Sequence, residues 1–377
     1  MESSFNAIPL GCFDPWLCVR DAMAVLIPRS LLMRIAFALC LLAASLGAHA
    51  AAGPWHPAAG HTQIPLWPGA VPDAQPMPGT ETQVVRTGHL IAGRPWTAVT
   101  NVSQPTMTVY APQGASTGAS VVVFPGGGFQ VLAMDLEGTE ACHWLTSEGI
   151  TCILLKYRVP SVPYDWHCKC YGNDFVVSLP ALQDAQRAIR LVRFHAAAWH
   201  LDPRKVGVLG FSAGGYLAVE VSTDFQRRLY APVDAADQAS DRPDFVMAIY
   251  PGHLATDADM LNSHIHIPRH TPPTFLVQAE DDYEDGVNQA LVYYAALAKA
   301  HVPAELHLYA RGGHAFGLRP TRDPITHWPR LADTWLQNWA ELGQSHLIST
   351  RPTVAIDSEA ARKSSASESN SGRTCSS

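Results

Sequence analysis

A serine stands where an apolar run hands over to helix-forming residues. The stretch "VGVLGFSAGGYLAV" (206–219) centres on Gly210-Phe211-Ser212-Ala213-Gly214. A β-rich segment ends at Gly210, and Gly215-Tyr216-Leu217-Ala218 reads as the opening of a helix. The spacing therefore predicts a strand–turn–helix unit, with Ser212 in a strained turn and its oxygen directed out of a sheet. Glycines on both sides suit a point where strand and helix backbones pass too closely for larger side chains. The N–H groups of the helix start would face any developing negative charge. A hydroxyl in that position attacks only if a base removes its proton.

The chain carries a base and an acid in the order this turn requires, serine, then acid, then histidine. "ARGGHAFG" supplies His314 just after an apolar run, in a loop that glycine makes flexible. "FLVQAEDDYEDGV" offers Glu280, Asp281, Asp282, Glu284 and Asp285 after the preceding run. One of them must orient the imidazole and stabilise its charged form. Asp282 has the right offset from the strand, with Asp281 as the alternative. A fourth part is "VVVFPGGGFQ", where three glycines close a buried strand. The N–H groups of Gly127 and Gly128, with that of Ala213, would receive the oxyanion of a tetrahedral intermediate. A phosphate-binding loop is the rival reading of these glycines, but neither G-x-x-x-x-G-K-[ST] nor G-x-G-x-x-G is completed.

These residues need a scaffold that brings four separate strand ends together. Apolar strands alternate with amphipathic helices, the pattern of a mostly parallel sheet covered on both faces. The expected strands are "ASVVVFPGG", "ITCILLKYRV", "KVGVLGFS", "DFVMAIYPG", "PTFLVQAEDD" and "AELHLYARGG". The expected helices include "EGTEACHWLTSEG", "LPALQDAQRAIRLVRFHAAAWH", "GVNQALVYYAALAKAHV" and "HWPRLADTWLQNWAEL". In the second, Leu182, Ala185, Ile189, Val192 and Ala196 recur every three or four residues and predict one apolar face. "TQVVRTGHL" and "TMTVYAP" read as edge strands. Ligands of such sheets bind off the carboxyl ends of the strands.

The totals agree with a globular α/β protein. The 377 residues are 47% hydrophobic and 16% charged, and a net charge of −7 without a basic stripe argues against a nucleic-acid partner. Arg29 and Arg34 precede "IAFALCLLAASLG" and an A-x-A site at Ala48-His49-Ala50, which predicts an export signal at 1–50 with its true start at Met33. That run is too short to span a membrane. Residues 51–80, punctuated by proline and glycine, read as an extended lead-in, 81–345 as the catalytic domain, and the Ser-rich 346–377 as a disordered tail. Export implies a periplasmic or secreted enzyme. Once the signal leaves with Cys12, Cys18 and Cys40, one bridge among Cys142, Cys152, Cys168 and Cys170 suits an oxidising compartment, and composition does not choose the pair.

Other candidates weigh less. Asp184, Arg187 and Arg190 read as structural charges on an apolar helix. The segment "LATDADMLNSHIHIPRHTPP" (254–273), with His253 before it, reads as a small lid, and its His264, His266 and His270 as solvated rather than metal-binding. Tyr164 and Trp166, in a second insertion, read as surface or lid packing.

The residues "PGGGF", "GFSAGG", "QAEDD" and "GGHAFG" resemble the α/β-hydrolase superfamily in its esterase–lipase branch, over about 106–342. "MDLEGTEACHWLTSEGITCILLKYRVP" and "LQDAQRAIRLVR" look like bacterial acetylxylan- and feruloyl-esterase-like hydrolases, often labelled xylanases. One departure is Pro125, where many esterases carry histidine. The resemblance implies the α/β-hydrolase fold and catalytic Ser212, Asp282 and His314. It also implies oxyanion donors at Gly127, Gly128 and Ala213, hydrolysis of a small-molecule or polysaccharide ester through an acyl-enzyme, and no metal or organic cofactor. A serine peptidase or amidase uses the same residues and is the alternative. A glycosidase would need two carboxylates flanking a sugar cleft, whereas the acids here cluster after one strand.

Overall fold

Runs rich in Val, Ile and Leu become strands because branched side chains pack well on a pleated, half-buried surface. The computed structural model describes residues 53–160, 164–165, 170–171 and 178–349. The expected export signal, the tail beyond 349 and the side chains of Tyr164, Trp166, Cys168 and Cys170 lie outside the described residues. In chain order the strands are β1 (Gln63–Pro65), β2 (Thr82–Ile91), β3 (Arg94–Thr100), β4 (Thr106–Tyr110), β5 (Ser120–Phe124), β6 (Leu132–Ala133) and β7 (Thr151–Lys156). They continue as β8 (Tyr164–Asp165), β9 (Cys170–Tyr171), β10 (Val206–Phe211), β11 (Val246–Ile249), β12 (Thr274–Ala279) and β13 (Ala304–Tyr309).

Eight of them form one sheet in the order β1-β4-β7-β5-β10-β11-β12-β13. From β7 to β13 every pairing is parallel, while β1 and β4 add antiparallel pairs at one edge. All residues of β5, β7, β10, β11 and β12 are buried, as parallel strands covered on both faces must be. The chain passes from β5 to β7 on one side and then returns to β10 on the other. Strand order thus reverses between β5 and β10, and a crevice opens off their carboxyl ends.

The helices α1 (Glu140–Ser147), α2 (Ser178–His195), α3 (Ala213–Thr223), α4 (Asn288–Lys299) and α5 (Trp328–Ser349) follow the expected order. Leu182, Ala185, Ile189, Val192 and Ala196 are all buried, but so is every other residue from Ala181 to Val192, so this part of α2 is enclosed all round rather than on one face. The charges between them serve packing. Asp184 accepts from Arg158 Nε at 2.9 Å and from Trp67 Nε1 at 2.9 Å. Arg187 pairs with Asp234 and Asp237, Arg190 with Asp241 and Arg193 with Asp244. This row of pairs ties α2 to the segment that leads into β11. Burial pushes the Asp184 carboxyl up, and the Arg158 guanidinium works against that shift. Asp184→Ala would leave Arg158 buried without its counter-charge. It should lower unfolding free energy by about 3–5 kcal/mol in urea titration, and a loss under about 1 kcal/mol would contradict this account.

Three features depart from the sequence expectation or refine it. The lead-in is part of the core: β1 pairs with β4, and Trp55, Leu66 and Trp67 are buried. "TQVVRTGHL" is an edge strand, β2, of a separate antiparallel sheet, β2-β3-β6, whereas "TMTVYAP" is β4, which is no edge because β1 pairs with its outer side. The β2–β3 connection is the two-residue turn Ala92-Gly93, both with positive φ (50° and 72°), which matches the twist of a tight hairpin. The bridge among the four candidate cysteines is Cys142–Cys152, joining α1 to β7.

Candidate active site

Strand ends supply Ser212, Asp282, His314 and the glycine loop. Ser212 follows β10 with φ 52° and ψ −121°, a conformation that costs a non-glycine residue free energy and is held by the packing around it. The flanking glycines are obligatory for the reason expected from sequence. A Cβ on Gly210 would sit 1.9 Å from the Gly214 carbonyl oxygen, and one on Gly214 would sit 2.0 Å from that of Phe124. The Ser212 hydroxyl donates to His314 Nε2 at 2.9 Å. His314 Nδ1 lies 2.8 Å from Asp282 Oδ2, and because a carboxylate only accepts, Nδ1 carries the proton. Ser212, His314 and Asp282 thus stand in one hydrogen-bonded line, with Nε2 left as the acceptor of the serine proton.

Asp281 and Asp282 do different work. The Asp282 side chain is fully buried, its Oδ1 accepting from the N–H groups of Glu284 and Asp285 and its Oδ2 from Gln278 Nε2. Asp281 turns the other way. Its Oδ1 accepts from the N–H groups of Gly312 (2.8 Å) and Gly313 (2.7 Å), so it pins the loop that carries His314.

The glycine loop after β5 is held on every side. The Tyr157 hydroxyl donates to the Pro125 carbonyl at 2.6 Å, Gly126 N–H donates to Glu137 Oε2 at 2.6 Å, and Ala133 N–H donates to the Gly126 carbonyl. Gly127, with φ 127°, follows, and a Cβ there would meet the Val131 carbonyl at 2.3 Å. Gly127, Gly128 and Ala213 line the same cavity as Ser212 and His314. With Pro125 at its start the loop is still anchored, because Tyr157 holds the Pro125 carbonyl.

Glu137 was not singled out from the sequence. It comes from a π-helical turn, Met134–Thr139, of the kind found at functional sites. Its Oε1 accepts from the Tyr250 hydroxyl at 2.9 Å, and that hydroxyl accepts from Gly317 N–H. One buried carboxylate thereby ties the glycine loop to the loop of His314. Burial raises its pKa, while Tyr250, Gly126 N–H and the charge of His314 act in the opposite direction.

The cavity has a volume of about 440 Å³. Part of its lining is the β2–β3 hairpin, through His89, Ile91 and Trp96. Arg319 fixes that hairpin: it donates to the Arg94 and Pro95 carbonyls and pairs with Glu140. Another part is His253, Tyr283, Glu284 and Asp285. Of the segment read as a lid, only His253 reaches the cavity. The rest packs elsewhere, with Ala255 N–H bonded to Gln289 of α4 and the His270 carbonyl to Arg242. Among the described residues, no group of His, Cys, Asp or Glu is arranged to hold a metal ion. The glycine at the β2–β3 turn and the β-branched residues around it are a hairpin signal that the reading of the sequence did not take up. Nothing in them said that it would wall the site.

Burial by itself lowers the His314 pKa. The Asp282 hydrogen bond and charge, with the charges of Asp285 and Glu137, outweigh it and raise the pKa above 6.5. A base must be neutral, so activity is present above that pKa and lost as pH falls through it. The acid limb of kcat/KM should therefore lie above the ordinary histidine value; a limb below it would contradict the Asp282–His314 coupling.

Residues 181–343 match the prolyl oligopeptidase family, and residues 107–249 match the BD-FAE family. The acetylxylan esterase of Xylanibacter ruminicola is 28% identical over 254 residues, which is 62% of this chain and 47% of that protein. Endo-1,4-beta-xylanase B of Butyrivibrio fibrisolvens is 25% identical over 217 residues, covering 52% of this chain and 32% of that one. The chain spans about half the length, or less, of these curated relatives. The crystal structure of the acetyl ester-xyloside bifunctional hydrolase from Caldicellulosiruptor lactoaceticus superposes with a TM-score of 0.58 at 29% identity. The match covers 74% of this chain and 96% of that one.

Proposed function

The chain belongs to the α/β-hydrolase superfamily, and from that premise we propose that it is a serine carboxylic-ester hydrolase working through an acyl-enzyme. Its substrates are acetylated or feruloylated polysaccharide, or similar short-chain esters. The observation that carries this reading is the line Ser212–His314–Asp282 opening on the cavity beside Gly127, Gly128 and Ala213. The likeness to an acetylxylan esterase supports the choice of acetylated carbohydrate.

His314 Nε2 takes the Ser212 proton as Oγ bonds to the ester carbonyl carbon. The carbonyl oxygen becomes an oxyanion, received by the N–H groups of Gly127, Gly128 and Ala213. When the C–O bond to the alcohol breaks, the imidazolium returns that proton to the leaving oxygen. Water then attacks the acyl-serine, giving its proton to Nε2, and the carboxylic acid departs as Ser212 regains a proton. Asp282 holds Nδ1–H throughout and stabilises the charged ring.

Acyl transfer to an amide would use the same groups, and the prolyl oligopeptidase match over 181–343 favours keeping a peptidase or amidase as the second reading. Assaying the purified protein on p-nitrophenyl acetate and on an aminoacyl anilide separates the two. Faster turnover of the anilide would replace the first reading by the second. A fluorophosphonate probe that leaves Ser212 unmodified would remove both. Export, read from the first 50 residues, is supported by the Cys142–Cys152 bridge, since disulfides persist in oxidising compartments. Among the described residues no helix is long and apolar enough to cross a membrane.

A further inference from the structure

His314 Nε2 must stand within hydrogen-bond reach of the leaving oxygen, about 3 Å, to protonate it. Whatever lies next to Nε2 therefore faces the alcohol of the ester rather than its acyl group. Asp285 is that neighbour: its Oδ2 is 4.0 Å from Nε2, its side chain lines the cavity, and only 7% of the residue remains exposed. The relay does not use it, because Nδ1 is held by Asp282 and Nε2 by Ser212. Asp285 is itself fixed. Gly252 leaves no room beside its carboxylate, where a Cβ would come within 2.4 Å, and His253 Nε2 stands 3.6 Å from its Oδ1. Tyr283, on the same lining, is 64% exposed at the rim, with its ring 6.4 Å from that of His314.

We propose that Asp285 and Tyr283 form the alcohol subsite of this enzyme: the carboxylate accepts from a hydroxyl vicinal to the scissile ester oxygen, and the tyrosine ring covers a sugar face. The inference rests on the ester-hydrolase reading above and adds the selected alcohol, a polyol rather than a simple alkanol. A vicinal hydroxyl lies about 3 Å from the ester oxygen, so it bridges the gap between the leaving group and Asp285 without displacing the His314–Ser212 contact. Burial raises the Asp285 pKa to about 6, with His314 and the His253 N–H opposing and Asp282 and Glu284 reinforcing the rise. As pH rises through 6 the carboxylate becomes the stronger acceptor, and preference for the polyol should grow. Both esters in the comparison below depend on His314 equally, so its titration cancels in their ratio.

The test uses the full chain and two acetates on six-membered rings: a monoacetylated methyl xyloside and cyclohexyl acetate, which lacks vicinal hydroxyls. Wild type should favour the xyloside in kcat/KM, with the ratio rising between pH 5 and 7. Asp285→Asn should reduce that ratio about tenfold, mainly through KM, and flatten its pH dependence. Tyr283→Ala, at an exposed position that does not endanger folding, should reduce it about threefold to tenfold. An unchanged ratio in both variants would overturn the subsite. A parallel fall of both substrates in Asp285→Asn would do the same, assigning the residue to His314 instead. Should wild type hydrolyse neither acetate, the ester-hydrolase reading itself falls; loss of the ratio alone leaves that reading standing.

Discussion

Ser212→Ala should lower kcat on p-nitrophenyl acetate by roughly 10⁵-fold or more, the scale seen when a hydrolase loses the atom that forms its covalent intermediate. No second hydroxyl replaces it, because Ser212 Oγ is the group bonded to His314 Nε2. The loss should be chemical and not structural. Alanine keeps the backbone at φ 52°, the strand-to-helix turn rests on Gly210 and Gly214, and the Ser212 carbonyl still accepts from Tyr216 N–H. Tm should accordingly stay within about 3 °C of wild type. Residual turnover above about 1% in a protein of unchanged Tm would exclude Ser212 as the nucleophile.

The second large effect separates two adjacent aspartates. Asp282→Asn should cost about 10⁴-fold in kcat at neutral pH, because the amide imposes the wrong imidazole tautomer. The orientation of that amide is dictated by its neighbours. The Oδ1 position must remain an acceptor for the N–H groups of Glu284 and Asp285. The new NH₂ therefore takes the Oδ2 position, facing His314 Nδ1 and the Gln278 amide donor. Nδ1 must then accept, and Nε2–H points at Ser212, unable to take its proton. Asp281→Asn should cost less than about tenfold, since one oxygen suffices for Gly312 and Gly313 N–H. Steady-state kinetics on the two variants decide the matter, and a larger loss in Asp281→Asn would reverse their roles.

Much of this site was legible along the chain. The apolar runs behind Gly126, Ser212, Asp282 and His314 did become β5, β10, β12 and β13, in the order read from their residues. The three- and four-residue spacing on α2 picked out residues that are buried, though the charged and polar residues between them are buried too. Other features were hidden. β2 is an edge strand as read, but of a second sheet, and β4, read as an edge, is covered by β1, because branched residues favour a strand without naming its partner. Glu137 and Tyr250 drew no attention, since a glutamate before glycine and a tyrosine after a strand are ordinary until their 2.9 Å contact joins two loops. The segment 254–273 looked like a lid by its length and polarity, yet none of it lines the cavity and only His253, just before it, does.

The sequence by itself marked the strand–turn–helix unit at Ser212, the strands that precede Ser212, Asp282 and His314, and the glycine loop after β5. Those depend on local rules: hydrophobic period, glycine where backbones nearly touch, and a polar residue at a strand end. Only the tertiary structure decided which aspartate meets His314, which cysteines are joined, and which surfaces close around Ser212. Asp281 and Asp282 are adjacent in the chain yet point in different directions, one to the Gly312–Gly313 loop and the other to Nδ1. The hairpin that walls the cavity lies more than a hundred residues from the serine it covers. Contacts of that kind are set by how the strands stack, and no residue type or spacing announces them in advance.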